Sequence, residues 1–244
     1  MTFRKLFNFF AAFALVAAAT FTAPTSAAAN ESAERRASAR VQEPVDLAVL
    51  VQDDLVSRVG NELGVTRDFI RRLPAGSRVM VGYLTAGTLQ VRQQFTDDLE
   101  AAARSLRVPR GTAASAPYNP YVEVVEALRK FDESGRNRRV VLLVSDGLDV
   151  SRGFDASTVI NSIDMERAIR EANKRDVTVY SFYAPAVGLS GFNRLAASYG
   201  QSALARLTRE TGGRAFFQGT DFVTFDAYFE RLGRALNGRG ETAY

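Results

Sequence analysis

Two apolar runs dominate the chain, and each stops on acid. Val45–Val51 ends at Asp53-Asp54, and Arg139–Ser145, with its Val-Val-Leu-Leu-Val centre, ends at Asp146-Gly147. A strand buried on both faces reads as a continuous β-branched and Leu run rather than an alternation. After Asp53-Asp54 the spacing changes to three and four: Val59, Leu63, Thr66, Ile70 and Leu73 predict a helix, closed by Pro74-Ala75-Gly76. Strands are expected at Arg78–Leu84 and Thr88–Phe95 around the turn Thr85-Ala86-Gly87. So short a link forces that pair antiparallel, because a parallel pair needs a crossover of about a dozen residues.

Thr96-Asp97-Asp98 caps a helix to about Leu106, and a Pro/Gly/Ser/Thr loop runs from Arg107 to Pro120. A helix follows from Tyr121 to Phe131, then the strand Arg139–Ser145 and a loop from Gly147 to Thr158. Ile160, Ile163, Ala168 and Ile169 mark the next helix, and Val177–Tyr183 the fifth strand. Ala184–Gly200 reads as a long loop, Gln201–Thr211 as a helix ending at Gly212-Gly213, and Arg214–Gln218 as the last strand. Phe222, Phe225, Phe229, Leu232 and Leu236 form the apolar stripe of a final helix, which is core rather than a cofactor box. Alternation of this kind predicts a Rossmann-like α/β fold: an open, mostly parallel six-stranded sheet with one antiparallel edge strand and helices on both faces.

The ends of the chain bound its organisation. Arg4-Lys5, an apolar stretch from Leu6 to Phe21 and the small residues Ala27-Ala28-Ala29 compose a secretory signal peptide over 1–29. The apolar stretch is short for a spanning helix, which needs about 20 residues, although an uncleaved anchor is the alternative. Residues 30–43 read as a polar linker, 44–237 as the single folded domain and 238–244 as a loose tail. Localisation is expected to be periplasmic or secreted, with the membrane involved only through export.

Composition then removes chemistries. The chain has no His and no Cys, so disulfides, Ser-His-Asp triads, Cys-His pairs and His- or Cys-ligated zinc are excluded. Oxygen donors remain, and they suit Mg²⁺, Ca²⁺ or Mn²⁺. The net charge of +4 falls by two when Arg4 and Lys5 leave. The arginines are spread among acids rather than clustered, so no nucleic-acid partner is expected.

The element order, an acid closing strand one and Ser145-Asp146-Gly147 closing strand four together resemble the von Willebrand factor type A (VWA) domain over about residues 44–237. The nearest likeness is to a secreted bacterial subgroup whose first strand ends in Asp-Asp. The resemblance implies a metal-ion-dependent adhesion site built from an Asp-x-Ser-x-Ser loop, a Thr between the central helices and an Asp after strand four. In this sequence Asp53, Ser57, Thr112 and Asp146 take those positions as metal ligands for Mg²⁺ or Ca²⁺. Ser115 and Asn119 compete with Thr112, and Leu55 stands where the first Ser belongs, making the site degenerate. Asp54 could compensate by turning inward. Asp53, Asp54 and Asp146 could equally be caps of the following turns and helices, and Asp149 reads as a turn residue.

Gly60 and Gly64, four apart, are expected to let the first helix pack closely on the sheet. Phe192 and Tyr199, in the long loop after strand five, are either interface anchors or folded back onto the domain. The resemblance implies an exported module that binds an unidentified protein ligand, cation-assisted and not an enzyme. The alternatives are a Mg²⁺-dependent phosphatase-like enzyme using the strand-end Asp cluster and a metal-free interaction scaffold.

Overall fold

Strand β1 (Val45–Gln52) is buried at every position and forms the centre of the sheet. The computed structural model describes residues 41–154, 162–219 and 224–237, with only the backbone of Phe192. The expected signal peptide, most of the linker, Ile160, Phe222 and the tail lie outside the described residues. The order along the chain is β1, α1 (Val59–Arg71), β2 (Arg78–Thr85), β3 (Thr88–Thr96), α2 (Leu99–Ser105), a 3₁₀ turn (Ala113–Ser115) and α3 (Pro120–Leu128). Then come β4 (Arg138–Ser145), α4 (Ile163–Lys174), β5 (Val177–Tyr183), α5 (Leu189–Phe192), α6 (Arg194–Glu210), β6 (Ala215–Phe216) and α7 (Asp226–Asn237).

The sheet order is β3-β2-β1-β4-β5-β6. Every neighbouring pair is parallel except β2 and β3, joined through Gly87 at φ +78°. The expected mixed sheet with one antiparallel edge strand is the sheet observed. Period-two alternation divides the strand residues between two cores. Leu47, Val49 and Val51 of β1 join Val140, Leu142 and Val144 of β4 under α1, α2 and α7. Ala48, Leu50, Val141 and Leu143 face α3, α4 and α6 on the other side. Covering both faces removes water from all of β1 and from Val140–Ser145 of β4, which is why these two strands read as unbroken apolar runs.

The parallel strands place their carboxyl ends along one edge. There lie residues 53–58, the β2–β3 turn, the α2–α3 loop, and the segments after β4, β5 and β6. The helices leaving that edge start beside it and end at the opposite edge.

Three expectations change. The expected loop Ala184–Gly200 is largely helical: α5 begins at Leu189, and α6 begins at Arg194 rather than Gln201. Asn193 caps α6 by accepting from the N–H groups of Leu195 and Ala196, at 3.0 and 3.1 Å. Gly200 reads as a helix breaker but lies inside α6, because a Cβ there would sit 1.9 Å from the Asp146 carbonyl oxygen. Tertiary packing outweighs its propensity cost of about 1 kcal/mol. The last strand shortens to Ala215–Phe216, since only Ser181 and Phe182 of β5 pair with it. Finally, α1 does not use its glycines to approach the sheet: a Cβ on Gly60 would meet the Val108 side chain, and one on Gly64 would meet open space.

Candidate functional site

Asp53 leaves β1 fully buried, and charge must meet it there. The Arg107 guanidinium does so as a two-pronged fork, Nη1 to Oδ1 at 2.6 Å and Nη2 to Oδ2 at 2.9 Å. The Arg110 backbone N–H donates to Oδ1 at 3.0 Å, and the Arg110 Nε lies 3.5 Å from Oδ2. The Asp53 carbonyl accepts from Gly111 N–H at 2.9 Å and from Ser115 Oγ at 3.2 Å. Arg107 is fixed in turn: its guanidinium carbon lies 4.0 Å from the centre of the Tyr83 ring, and the Tyr83 hydroxyl donates to the Arg107 carbonyl while accepting from its N–H. Hydrogen bonding to Asp53 holds the Arg107 pKa above its ordinary value. The α2–α3 loop is thus stapled over the end of β1.

Asp54 turns the other way. Its Oδ1 accepts from Gln52 Nε2 at 2.8 Å. Burial, reinforced by the negative charge of Asp146, pushes its pKa up to about 6. Gln52 bridges the two strand ends, since its Oε1 accepts from Ser145 Oγ at 2.6 Å and from Asp146 N–H at 3.2 Å. Asp146 accepts from Leu148 N–H through Oδ1 and from Ser190 Oγ through Oδ2, at 3.1 and 2.7 Å. Burial raises its pKa as well. Asp149 accepts from Ser151 N–H and Oγ, the turn role expected of it, and also from Ser162 Oγ.

Leu55 is fully buried and bridges Ala186 in an antiparallel pair, flanked by Val56 N–H to the Pro185 carbonyl and Val187 N–H to the Asp54 carbonyl. An apolar side chain at 55 therefore closes the post-β1 turn onto the post-β5 segment. Ser57 is exposed just before α1. The Thr112 Oγ1 contacts Ser115 Oγ at 3.1 Å, and Asn119 caps α3 while its amide donates to Asp164 Oδ2. Tyr199 belongs to α6 and lies 6.2 Å from Phe154, ring centre to ring centre.

The structure thus brings Asp53, Ser115, Asp54 and Asp146 to one edge, with Ser57 exposed before α1 and Thr112 Oγ1 against Ser115 Oγ. Among the described residues no group of three acids could hold a metal ion. The donors do not fit a divalent cation in this arrangement, because both Asp53 oxygens accept from a guanidinium, both Asp146 oxygens accept from protein donors, and one hydroxyl position is a buried Leu.

Sequence reasoning missed Arg107, Arg110 and Gln52. Gln52 carried a signal, a polar residue at the end of an apolar run. Arg107 carried none, because its partner is 54 residues away.

No protein-family model matches the chain, and no curated protein matches it in sequence. Solved structures do. An aerotolerance-related membrane protein from Bacteroides fragilis, studied with multiple mutations to serine, is similar with a TM-score of 0.55 and 11% identity, over 79% of this chain and 98% of that one. The conserved hypothetical protein BatB from Bacteroides thetaiotaomicron gives 0.52 and 11%, over 79% and 97%. The VWA domain of SpRpn10 gives 0.45 and 11%, over 82% and 100%. At such identity the likeness concerns fold alone. Sheet order, the antiparallel edge hairpin and the likeness to the two Bacteroides proteins make this a Rossmann-type α/β fold, an open sheet with one antiparallel edge strand.

Proposed function

We propose that the chain is an exported, non-catalytic protein-binding module that presents its partner surface at the carboxyl edge of the sheet and works without a divalent cation. One observation carries this reading. Among the described residues eight large apolar side chains are exposed, and all belong to that edge. Val108 and Tyr118 lie in the α2–α3 loop, Phe154 follows β4, Val187 follows β5, Leu195 opens α6 and Phe217 follows β6. The other two, Val122 and Ile163, stand in the first turns of α3 and α4. Single exposed apolar residues need no explanation, but their gathering on one edge marks an interaction surface. Among the described residues the opposite edge has none.

The metal-free part rests on the Arg107 fork, which already supplies the positive charge that Asp53 would otherwise seek in a cation. The same fork argues against the phosphatase-like alternative, in which a free Asp oxygen must attack phosphorus. Export rests on the signal-peptide pattern of residues 1–29.

The test is photo-crosslinking in the native cell, with a crosslinking residue placed at Tyr118 or Leu195 on the carboxyl edge or at Ser134 on the opposite edge. A discrete adduct from the first two positions and none from Ser134 is expected. Equal adducts from both edges, or none from Tyr118 and Leu195, overturn the reading.

A further inference from the structure

The charges of the same edge are sorted by depth. In its described loops the acids are Asp53, Asp54, Asp146 and Asp149, with relative exposures of 0, 3, 5 and 8%. Each accepts hydrogen bonds inside the protein. The basic residues of those segments, with Arg194 opening α6, are Arg58, Arg107, Arg110, Arg152 and Arg194. Four are exposed, and the Arg107 side chain is partly so, at 26%. In these loops solvent therefore meets arginines and apolar groups, while the strand-end carboxylates that made this edge look acidic in sequence are turned inward; Asp164, Glu166 and Asp226, which keep exposure beside it, stand in the first turns of α4 and α7.

From this we infer that the edge captures an acidic segment of a protein partner by direct arginine–carboxylate contact, with no bridging metal ion. The inference rests on the binding-module reading above and names the partner's chemistry. Arg110 is the best-placed receptor. Its backbone N–H is fixed on Asp53 Oδ1 and its Nε lies 3.5 Å from Oδ2, so the stem is anchored, while its side chain stays 55% exposed. A guanidinium held at the stem and open at the fork loses little freedom on meeting a carboxylate, which it matches with two parallel hydrogen bonds.

Apolar neighbours separate this surface from a phosphate track. Val108 lies between Arg107 and Arg110 in sequence, and Leu195 follows Arg194. Aliphatic groups interleaved with arginine give a sugar–phosphate backbone little to contact, but they suit side chains of a protein segment.

The experiment uses the mature protein in EDTA and a fluorescent dodecapeptide of alternating Glu and Leu, read by anisotropy. Controls are the Gln/Leu counterpart, an oligo-dT strand and phosphatidylglycerol vesicles. The Glu peptide is expected to bind about tenfold or more tighter than the Gln peptide, the effect of a charge-assisted hydrogen-bonded pair. Arg110→Glu is expected to remove that advantage while keeping the circular dichroism spectrum, and Arg72→Glu, after the end of α1 at the opposite edge, is expected to leave it intact. The inference is overturned by a requirement for Mg²⁺, by equal binding of the two peptides, by no binding of the Glu peptide, or by tighter Arg110-dependent binding of the oligonucleotide or vesicles. Crosslinks from the carboxyl edge with a failed peptide would sink this inference and leave the binding module standing; absent crosslinks would sink the module itself.

Discussion

Arg107 grips both oxygens of Asp53 across 54 residues of chain, at 2.6 and 2.9 Å, and this pair closes the end of the central strand. Its partners differ in exposure: Asp53 is fully buried, while the Arg107 side chain keeps 26% of its surface. Removing the arginine leaves the buried carboxylate with only the Arg110 Nε, 3.5 Å away, as counter-charge; breaking a buried pair outright costs about 3–5 kcal/mol. Arg107→Met is therefore expected to lower unfolding stability by about 3 kcal/mol, somewhat less than the full range because water reaches the arginine. Urea denaturation measures it. Adding Asp53→Asn to Arg107→Met should recover a large part of the loss, since the stranded charge is gone; a double variant weaker than the single one would refute the pairing as the cause.

The same pair decides the response to metal. Wild-type protein is expected to show no shift in melting temperature with Mg²⁺, Ca²⁺ or Mn²⁺. A ligand that binds only the folded state would stabilise it by about 2.7 kcal/mol at a hundredfold excess over Kd, which differential scanning fluorimetry resolves readily. The double variant Leu55→Ser with Arg107→Ala restores a hydroxyl and removes the guanidinium fork from the Asp53 oxygens, and it is expected to gain a Mg²⁺-dependent rise. Saturable wild-type stabilisation would show instead that Arg107 yields to the cation.

Asp54 gives the carboxyl edge a pH dependence. Its pKa is about 6 in the folded protein against 3.8 ordinarily, through burial first and the charge of Asp146 second. The folded state thus holds the proton more tightly than the unfolded chain, so stability rises as pH falls through 6 and levels off below 4. The span corresponds to about 3 kcal/mol at 1.36 kcal/mol per pKa unit. Asp54→Asn keeps an acceptor for Gln52 and carries no charge. It is expected to melt higher than wild type at pH 7.5, the difference fading towards pH 4; an unchanged difference across that range would exclude Asp54 as its source.

Glu123 behaves similarly on α3. It is 1% exposed, its Oε2 has no hydrogen-bond partner among the described residues, and burial with the nearby charge of Glu126 pushes its pKa to about 8. The folded pKa lies above the ordinary 4.5, so stability is lost as pH rises through 8. Glu123→Gln should remove that loss, gaining about 3 kcal/mol on wild type between pH 6 and 9. Chemical denaturation at both pH values checks it.

Gly200 is the packing counterpart of these charges. A Cβ there would fall 1.9 Å from the Asp146 carbonyl oxygen, and backbone cannot yield as a flexible side chain can. Gly200→Ala is expected to destabilise by about 1–3 kcal/mol despite its better helix propensity. A stabilised variant would mean that α6 stands further from the end of β4.

Much of the fold was legible because its causes are local. The apolar runs of β1 and β4, the three-and-four spacing of α1 and the short Thr85-Ala86-Gly87 turn each act within a few residues, and they suffice for a mixed sheet with one antiparallel edge. Errors fell where distant parts meet: Gly200 reads as a stop until the carbonyl of Asp146 is placed against it, and the post-β5 segment reads as a loop until Asn193 is seen to cap a helix.

The candidate site divides the same way. The sequence alone determined that acids stand at the ends of two buried strands, that Leu55 interrupts the hydroxyl pattern, and that no His or Cys can take part. Only the tertiary structure decided what neutralises Asp53, because that depends on where the α2–α3 loop lands. Folding delivers Arg107 and the Arg110 backbone to a carboxylate that cannot stay buried without a counter-charge, and the same closure turns the acids inward and leaves the arginines facing water.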